Sequence, residues 1–488
     1  MAPRAKRKHG YWVGVPEEAW QAAQISAGRT TNVTAYYRCE FTVTQSGKLS
    51  FIISANSRYR LWVNGHPITS GPLKGDKMRH YYDTLEVSKY LKPGFNCIAV
   101  KVIAYPAYES KTQFNQAPLS VMANGAGPQL MVEGTCKTSK GRVLADVTTG
   151  YGNWSVSLDQ ATEWVPYGPT WWMGGMEKVD GSRLPNGWMT EQEPEGDWYK
   201  VDPLWLSTDN WENTDFGIIP PLPLNERPLP PLYEIQRYFQ KEMPVFHSNR
   251  EKMSFSSLME GMPISLAPNN KYIAVLDTGE LTTGYLVIKL EGGAGSSVRI
   301  RYSESYYIKD GESYVKNLRD DAEHGLIIGH EDEYFPSGGS DRYEPFWFRT
   351  FRYIQVEIDT GDEALSLECP FYLETGYPLE AKTTVQSTAP WVNDVWNISL
   401  RTLRRCMHET YEDCPYYEQL QYLMDTRSQI LFTYMVSGDA RMAEKAMEDY
   451  RSSLLPNGLL QSRYPSNEPQ VIPTFNIYFI LMVEDYYW

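Results

Sequence analysis

Glu409, Glu412, Asp413, Glu418 and Asp425 are interleaved with Tyr411, Tyr416, Tyr417 and Tyr422 in one short stretch. Carboxylates accept hydrogen bonds from hydroxyl groups, and a tyrosine ring supplies a flat apolar wall. Together these suit a pocket for a neutral sugar. A carboxyl set among like charges and away from water also keeps its proton at neutral pH, which is the requirement for a general acid. Asp413 stands where a helix N-cap would stand, with Pro415 just inside the first turn. On such a helix Glu418 and Asp425 are nearly two turns apart and share a face, about 10 Å from each other along the axis. Tyr422 falls between them, one turn from Glu418 on the same stripe. The plain alternative is a well-capped helix whose acids favour the positive end of its dipole.

The elements that must position this stretch read in two styles. Residues 30–170 are β-patterned: Tyr37 to Thr44, Lys48 to Ser54 and Asn96 to Ile103 mix alternation with β-branched and aromatic residues. Tyr59-Arg-Leu-Trp-Val ends in Asn64-Gly65, a strong two-residue hairpin signal. A Trp-, Gly- and Pro-rich extension containing Thr170-Trp171-Trp172 follows. A proline-rich run over 217–239 predicts an extended, stiff linker. A second β-region begins near residue 240, with strands at Tyr272 and Tyr285 divided by a Thr/Gly turn, and an alternating strand from Ser297. Gly292-Gly-Ala-Gly295 sits between strands, so it carries no nucleotide fingerprint. After Lys382 the period becomes helical: Val392, Val395, Trp396, Leu400 and Leu403, then Ile430 to Met435 ending at Ser437-Gly438. A third helix is capped by Asp439, with Met442, Ala446, Met447 and Tyr450 inward, and a last apolar helix runs over 474–488. The predicted domains are 1–216, the linker 217–239, a second β-sandwich at 240–381 and a helical part at 382–488.

Composition narrows the partners. The 488 residues carry 46 Lys plus Arg against 60 Asp plus Glu, a net charge of −14, which argues against nucleic acid and anionic membrane. The 15 Trp and 35 Tyr suit both β-cores and sugar stacking. The start, through Arg4 to His9, is basic without an apolar segment behind it, so neither a secretory leader nor a membrane span is expected. The six cysteines lack metal-ligand spacing, so no metal or other cofactor is expected, and their scatter suits a reducing cytoplasm.

The run from Asp413-Cys-Pro through Glu418, Tyr422 and Asp425-Thr-Arg resembles the signature that opens the catalytic domain of inverting bacterial α-L-rhamnosidases. In that family it commonly reads Asp-Cys-Pro-x-Arg-(Asp/Glu)-Glu-Arg-x-Gly-Trp-x-Gly-Asp. The Leu61-Trp-Val-Asn-Gly element is similar to jelly-roll modules of glycoside hydrolases, and Phe351-Arg-Tyr-Ile-Gln-Val to the β-domain preceding the rhamnosidase barrel. The resemblance implies two jelly-roll or β-sandwich domains followed by an (α/α)6 six-hairpin glycosidase domain. It implies a glycosidase that removes terminal L-rhamnose, with Glu418 as proton donor and Asp413 and Asp425 as ligands for ring hydroxyls. Tyr422 joins them as a substrate-binding wall. The family's frequent Arg is Tyr417 here, and its Gly-Trp pair is replaced by Gln421-Tyr422, marking a divergent branch. The loop from Leu455 to Ser466 resembles one near the family's pocket.

Four helices cannot close a ring of six helical hairpins. The sequence therefore reads as a C-terminally truncated member, inactive alone, whose general base lies beyond Trp488. Two rival readings are a non-catalytic carbohydrate-binding protein, which would keep sugar affinity without Glu418, and another six-hairpin glycosidase.

Overall fold

The computed structural model describes all residues except 1–6, 25–30, 46, 77–78, 107–125, 166–174, 209–221, 255–262, 317 and 467–468. The Thr170-Trp171-Trp172 run, the basic residues up to Lys6 and the first part of the proline-rich stretch lie outside the described residues.

Two antiparallel sheets of the N-terminal part face each other. One contains Arg7–Gly14, Lys48–Asn56, His80–Glu86 and Gln129–Lys137; the other contains Val33–Val43, Arg58–Val63, Gly94–Ala104 and Asn153–Leu158. Alternate residues from both, among them Phe51, Ile53, Val132, Tyr37, Val100 and Trp154, form one core. Asn64 and Gly65 turn the chain with φ of 49° and 78°, and Val63 pairs with His66 across them, as the dipeptide predicts.

The second β-region has its own sheet (hereafter the second sheet), built on Lys271–Gly292, a single strand of 22 residues. A break between Tyr272 and Tyr285 was expected. Instead, the register shifts between Asp277 and Thr282, and the strand continues through a bulge at Gly279. Gly279 takes a φ of +85°, which lets the strand bend without ending. Its two halves then pair with different neighbours, Lys241–Met243 before the bulge and Phe371–Gly376 after it. The Gly292–Gly295 turn does not close a hairpin, because Arg349–Asp359 lies between the strands it joins.

The proline-rich stretch is not a free spacer. Leu224–Glu226 pairs with His80–Glu86, and Tyr233–Tyr238 pairs with Phe371–Gly376. The proline-free run after Pro231 leaves its amides available to a sheet edge, so backbone pairing displaces polyproline geometry. Met176–Asp180, expected with the first domain, likewise adds to His330–Phe335 of the second sheet. A small three-stranded arm, Tyr306–Asp310, Ser313–Lys316 and Leu326–Ile327, stands beside that sheet.

The last strand ends at Gly376, and helices follow: α2 (Val392–Arg405), α3 (Leu423–Val436), α4 (Arg441–Ser452) and α5 (Phe475–Tyr487), after the short α1 (Glu17–Ala23). Met442, Ala446 and Tyr450 of α4 are buried as expected, whereas Val395 of α2 is exposed. Ala440, not Asp439, occupies the N-cap of α4; the Asp439 carboxylate accepts the Arg441 amide at 3.2 Å from one position earlier. No helix among the described residues is long and apolar enough to cross a membrane.

Candidate active site

The acidic stretch is where structure departs most from the helical reading. Helix α3 begins at Leu423 with Tyr422 as its extended N-cap, and residues 407–422 are irregular. Asp413 caps no helix, and Glu418 shares no helix face with Asp425. The chain instead folds back on itself: the Asp413 amide donates to the Leu420 carbonyl at 2.9 Å, and the Leu420 amide to the Glu418 carbonyl at 2.8 Å.

Tertiary contacts explain this choice. The Tyr416 hydroxyl donates to the Tyr302 carbonyl at 3.0 Å, and its ring stacks on His330 with centroids 4.3 Å apart. Thr350 donates to the Pro415 carbonyl at 2.6 Å, and Trp347 Nε1 to Gln419 Oε1 at 2.8 Å. These bonds pull Pro415, Tyr416 and Gln419 onto the β-sheet, and a helix through them would have to give the contacts up. Burial on the sheet outweighs the modest helical propensity of the segment.

The N-terminal part holds the other end. Arg58 forms a two-pronged ion pair with Glu409, one contact at 2.9 Å, and the Lys74 amide donates to the same carboxylate at 2.8 Å. Burial alone would raise Glu409, but Arg58 and its hydrogen bonds, then Arg227 and Lys74, hold it below the usual glutamate range. Lys74 Nζ reaches the Gln419 carbonyl at 3.3 Å. Burial lowers this ammonium to about 8, against the pull of Glu412 and Glu409.

This fold-back brings the sequence-derived site residues together by a different route. Asp413 is exposed, while Glu418, Tyr422 and Asp425 are half-buried. Desolvation, then the charges of Glu418 and Asp425, then a hydrogen bond with Glu418, raise Asp413 to about 6. Burial raises Asp425 too, opposed by its own backbone hydrogen bond and helped by Glu418. The Tyr422 hydroxyl donates to Glu418 Oε1 at 2.5 Å. Burial and that contact push the phenol up to about 12.

Arg463 was not read from the sequence as a site residue, although its loop was noted. Its guanidinium donates to the Tyr422 hydroxyl at 3.2 Å and lies 6.0 Å from the ring centroid. The loop is pinned to the start of α3: the Leu423 amide donates to the Ser462 carbonyl at 2.9 Å, and the Tyr464 amide to the Gln421 carbonyl at 3.1 Å. Arg463, Tyr422 and Glu418 therefore form a relay of hydrogen bonds ending on the carboxylate. Lys74, Arg58 and Trp347 were missed altogether, since nothing local to them signals a partner 345, 351 or 72 residues away, respectively. Among the described residues no group of histidine, cysteine, aspartate or glutamate is arranged to hold a metal ion.

The site is thus a carboxylate–tyrosine loop clamped by a β-rich frame at the head of a helical region. Comparison with known proteins makes this specific. Residues 268–368 match the bacterial alpha-L-rhamnosidase concanavalin-like domain, and residues 380–488 match the bacterial alpha-L-rhamnosidase 6 hairpin glycosidase domain. These two segments are thus similar to two domains of bacterial alpha-L-rhamnosidases, as the Asp413 signature implies. An alpha-L-rhamnosidase of Streptomyces avermitilis is 37% identical over 86 residues, covering 17% of this chain and 8% of that protein.

Solved structures agree in fold. A GH78 family rhamnosidase of Bacillus sp. GL1 superposes with a TM-score of 0.73 at 16% identity, over 99% of this chain and 67% of that one. The alpha-L-rhamnosidase of Dictyoglumus thermophilum gives 0.63 at 17% identity, covering 99% of this chain and 48% of that one. The Streptomyces avermitilis enzyme, solved with L-rhamnose, gives 0.59 at 18% identity, over 90% and 38%. This chain thus spans about half or less of the second and third of these structures.

Proposed function

We propose that this chain supplies the β-domains and the acid-bearing opening of the helical (α/α)6 domain of an inverting α-L-rhamnosidase-like glycosidase. The observation that carries the reading is the convergence of Asp413, Glu418 and Asp425 beside Tyr422, inside a segment of the rhamnosidase family. In this reading Glu418 protonates the leaving oxygen, Asp413 and Asp425 accept hydrogen bonds from the ring hydroxyls, and Tyr422 walls the sugar. Burial, then the charges of Glu418 and Asp425, shift Asp413 upward, so the carboxylate cluster favours holding a proton beside the glycosidic oxygen. Inversion also needs a second carboxylate that activates water on the opposite face of the sugar. We place it on a helical hairpin outside residues 1–488, so that the 488-residue chain alone does not turn over. The six cysteines, none paired with another, support a reducing compartment.

The test is hydrolysis of an aryl α-L-rhamnoside by the full-length protein and its Glu418→Gln variant. The variant loses about 10²–10⁴ in kcat while still binding rhamnose. Undiminished turnover removes Glu418 from the mechanism. No turnover by the unaltered full-length protein across aryl 6-deoxy sugars sinks the rhamnosidase reading and leaves a carbohydrate-binding protein.

A further inference from the structure

Beside the candidate active site, the arm and the second sheet enclose a cleft of about 480 Å³. That is within the usual range for small-ligand sites. The rings of Phe246, Tyr306 and Tyr314 line it, together with the polar side chains of Arg301, Gln355 and Glu357. We propose that this cleft is a second saccharide site, holding the neutral sugars to which the terminal residue of the substrate is joined. The substrate class named here rests on the rhamnosidase reading above.

Three observations carry it. First, the rings are available: Phe246 is 54% and Tyr314 46% exposed, although both border a concave surface. Tyr306, packed with Val275 and Ile327, forms part of the buried floor. Flat aromatic faces at a concavity suit the apolar faces of pyranose rings.

Second, the polar edge is built and electrically balanced. Arg301 pairs across the ladder with Gln355, and Glu357 follows two residues on, so all three meet on one sheet face. Gln355 donates to Glu357 at 2.6 Å; Arg301 lies 2.6 Å from Glu331 and 3.7 Å from Glu357, and Arg250 lies 3.2 Å from Glu357. Each charge already has an opposite partner. Donors and acceptors without a net field select a neutral polyhydroxylated ligand over a phosphate or an amine.

Third, the cleft adjoins the acid loop. Gly329 lines it, and a Cβ placed there would lie 2.5 Å from the Tyr416 hydroxyl. Tyr416 precedes Glu418 by two residues. At the base of the arm, Glu304 is close enough to raise the Tyr417 phenol, after the larger effects of Cys414 and burial. Tyr416 itself is buried, but Tyr417 beside it is exposed, so a saccharide whose terminal unit sits at Glu418 can extend over Tyr417 towards Tyr314.

The test is calorimetric titration of the full-length Glu418→Gln protein with a neutral trisaccharide ending in α-L-rhamnose and, separately, with methyl α-L-rhamnoside. The trisaccharide binds about ten-fold more tightly. Tyr314→Ala and Phe246→Ala each remove most of that advantage, about five- to ten-fold, as loss of a ring contact does. Neither substitution changes methyl α-L-rhamnoside binding, and unchanged melting shows the fold intact. Equal affinities, or a trisaccharide advantage indifferent to both substitutions, overturn the proposal. So does a Tyr314-dependent advantage for an aryl rhamnoside over the trisaccharide, which would make the cleft an apolar aglycone site. If maltotriose instead binds with the same Tyr314 dependence and no rhamnoside binds or is hydrolysed, the cleft stands as a saccharide site and the rhamnosidase reading falls. If aryl rhamnosides are hydrolysed but no trisaccharide senses Tyr314, the reverse holds.

Discussion

Arg58 and Glu409, 351 positions apart in sequence, meet as a buried two-pronged ion pair and tie the N-terminal sheets to the start of the acid loop. Arg58 is 1% and Glu409 3% exposed, and the guanidinium also lies 4.2 Å from the Trp347 ring centroid. Removing one partner strands the other charge away from water. Arg58→Met is expected to cost about 3–5 kcal/mol. The double variant Arg58→Met, Glu409→Gln should recover a large part of that. Denaturant unfolding of the three proteins measures both; an Arg58→Met loss below about 1 kcal/mol contradicts the pairing.

Asp413 makes the protein less stable as pH rises through its titration. Its carboxyl ionises near 6 when folded, against an ordinary value of 3.8. Between these values the folded chain keeps a proton that the unfolded chain releases, so stability falls with rising pH across about pH 4 to 6. Asp425 is shifted in the same direction. Asp413→Asn should flatten the decline, by a modest amount because the side chain is exposed. Unfolding midpoints from pH 4 to 7 for both proteins decide it, and an unchanged slope refutes the assignment.

Tyr422→Phe keeps the aromatic wall but removes the hydroxyl between Arg463 and Glu418. A hydrogen bond to a charged group is worth about 1.5–3 kcal/mol. In the full-length protein the expected loss is therefore about ten- to hundred-fold in kcat with little change in KM. Tyr422→Ala should raise KM as well. Steady-state kinetics with an aryl α-L-rhamnoside separate the two; an unaltered kcat in Tyr422→Phe shows that the relay has no part in turnover.

Trp347→Phe leaves the buried Gln419 side-chain oxygen, Oε1, without its 2.8 Å donor. The expected cost is about 1–3 kcal/mol. Because Gln419 adjoins Glu418, the loop should also exchange its amides faster, which hydrogen exchange at residues 416–420 reads directly. Unchanged exchange would mean that Tyr416 and Thr350 hold the loop unaided.

Much of the architecture could be read locally. The Asn64-Gly65 turn, the alternation from Ser297 to Ser303 and the apolar spacing in α4 each depend on neighbours a few residues away, and each appears where expected. The two errors at strand level have a common cause. At Gly279 and in the proline-rich stretch, turn-like composition was taken as a break, yet sheet partners far along the chain supplied hydrogen bonds that kept the backbone extended.

The acid loop shows the same division at the site. Residue types, an assumed helical spacing and the resemblance to the family signature singled out Asp413, Glu418, Tyr422 and Asp425 as candidates, and the structure brings them together without that spacing. Their arrangement was decided by Tyr302, His330, Trp347 and Thr350 on one side and Arg58 and Lys74 on the other. Arg463 entered through a loop docked on the head of α3. The sequence by itself determined which carboxylates and tyrosines are the candidates for chemistry. Only the tertiary structure decided that they meet on a folded-back loop rather than a helix stripe, because buried contacts with distant strands outweigh the small local preference for a helix.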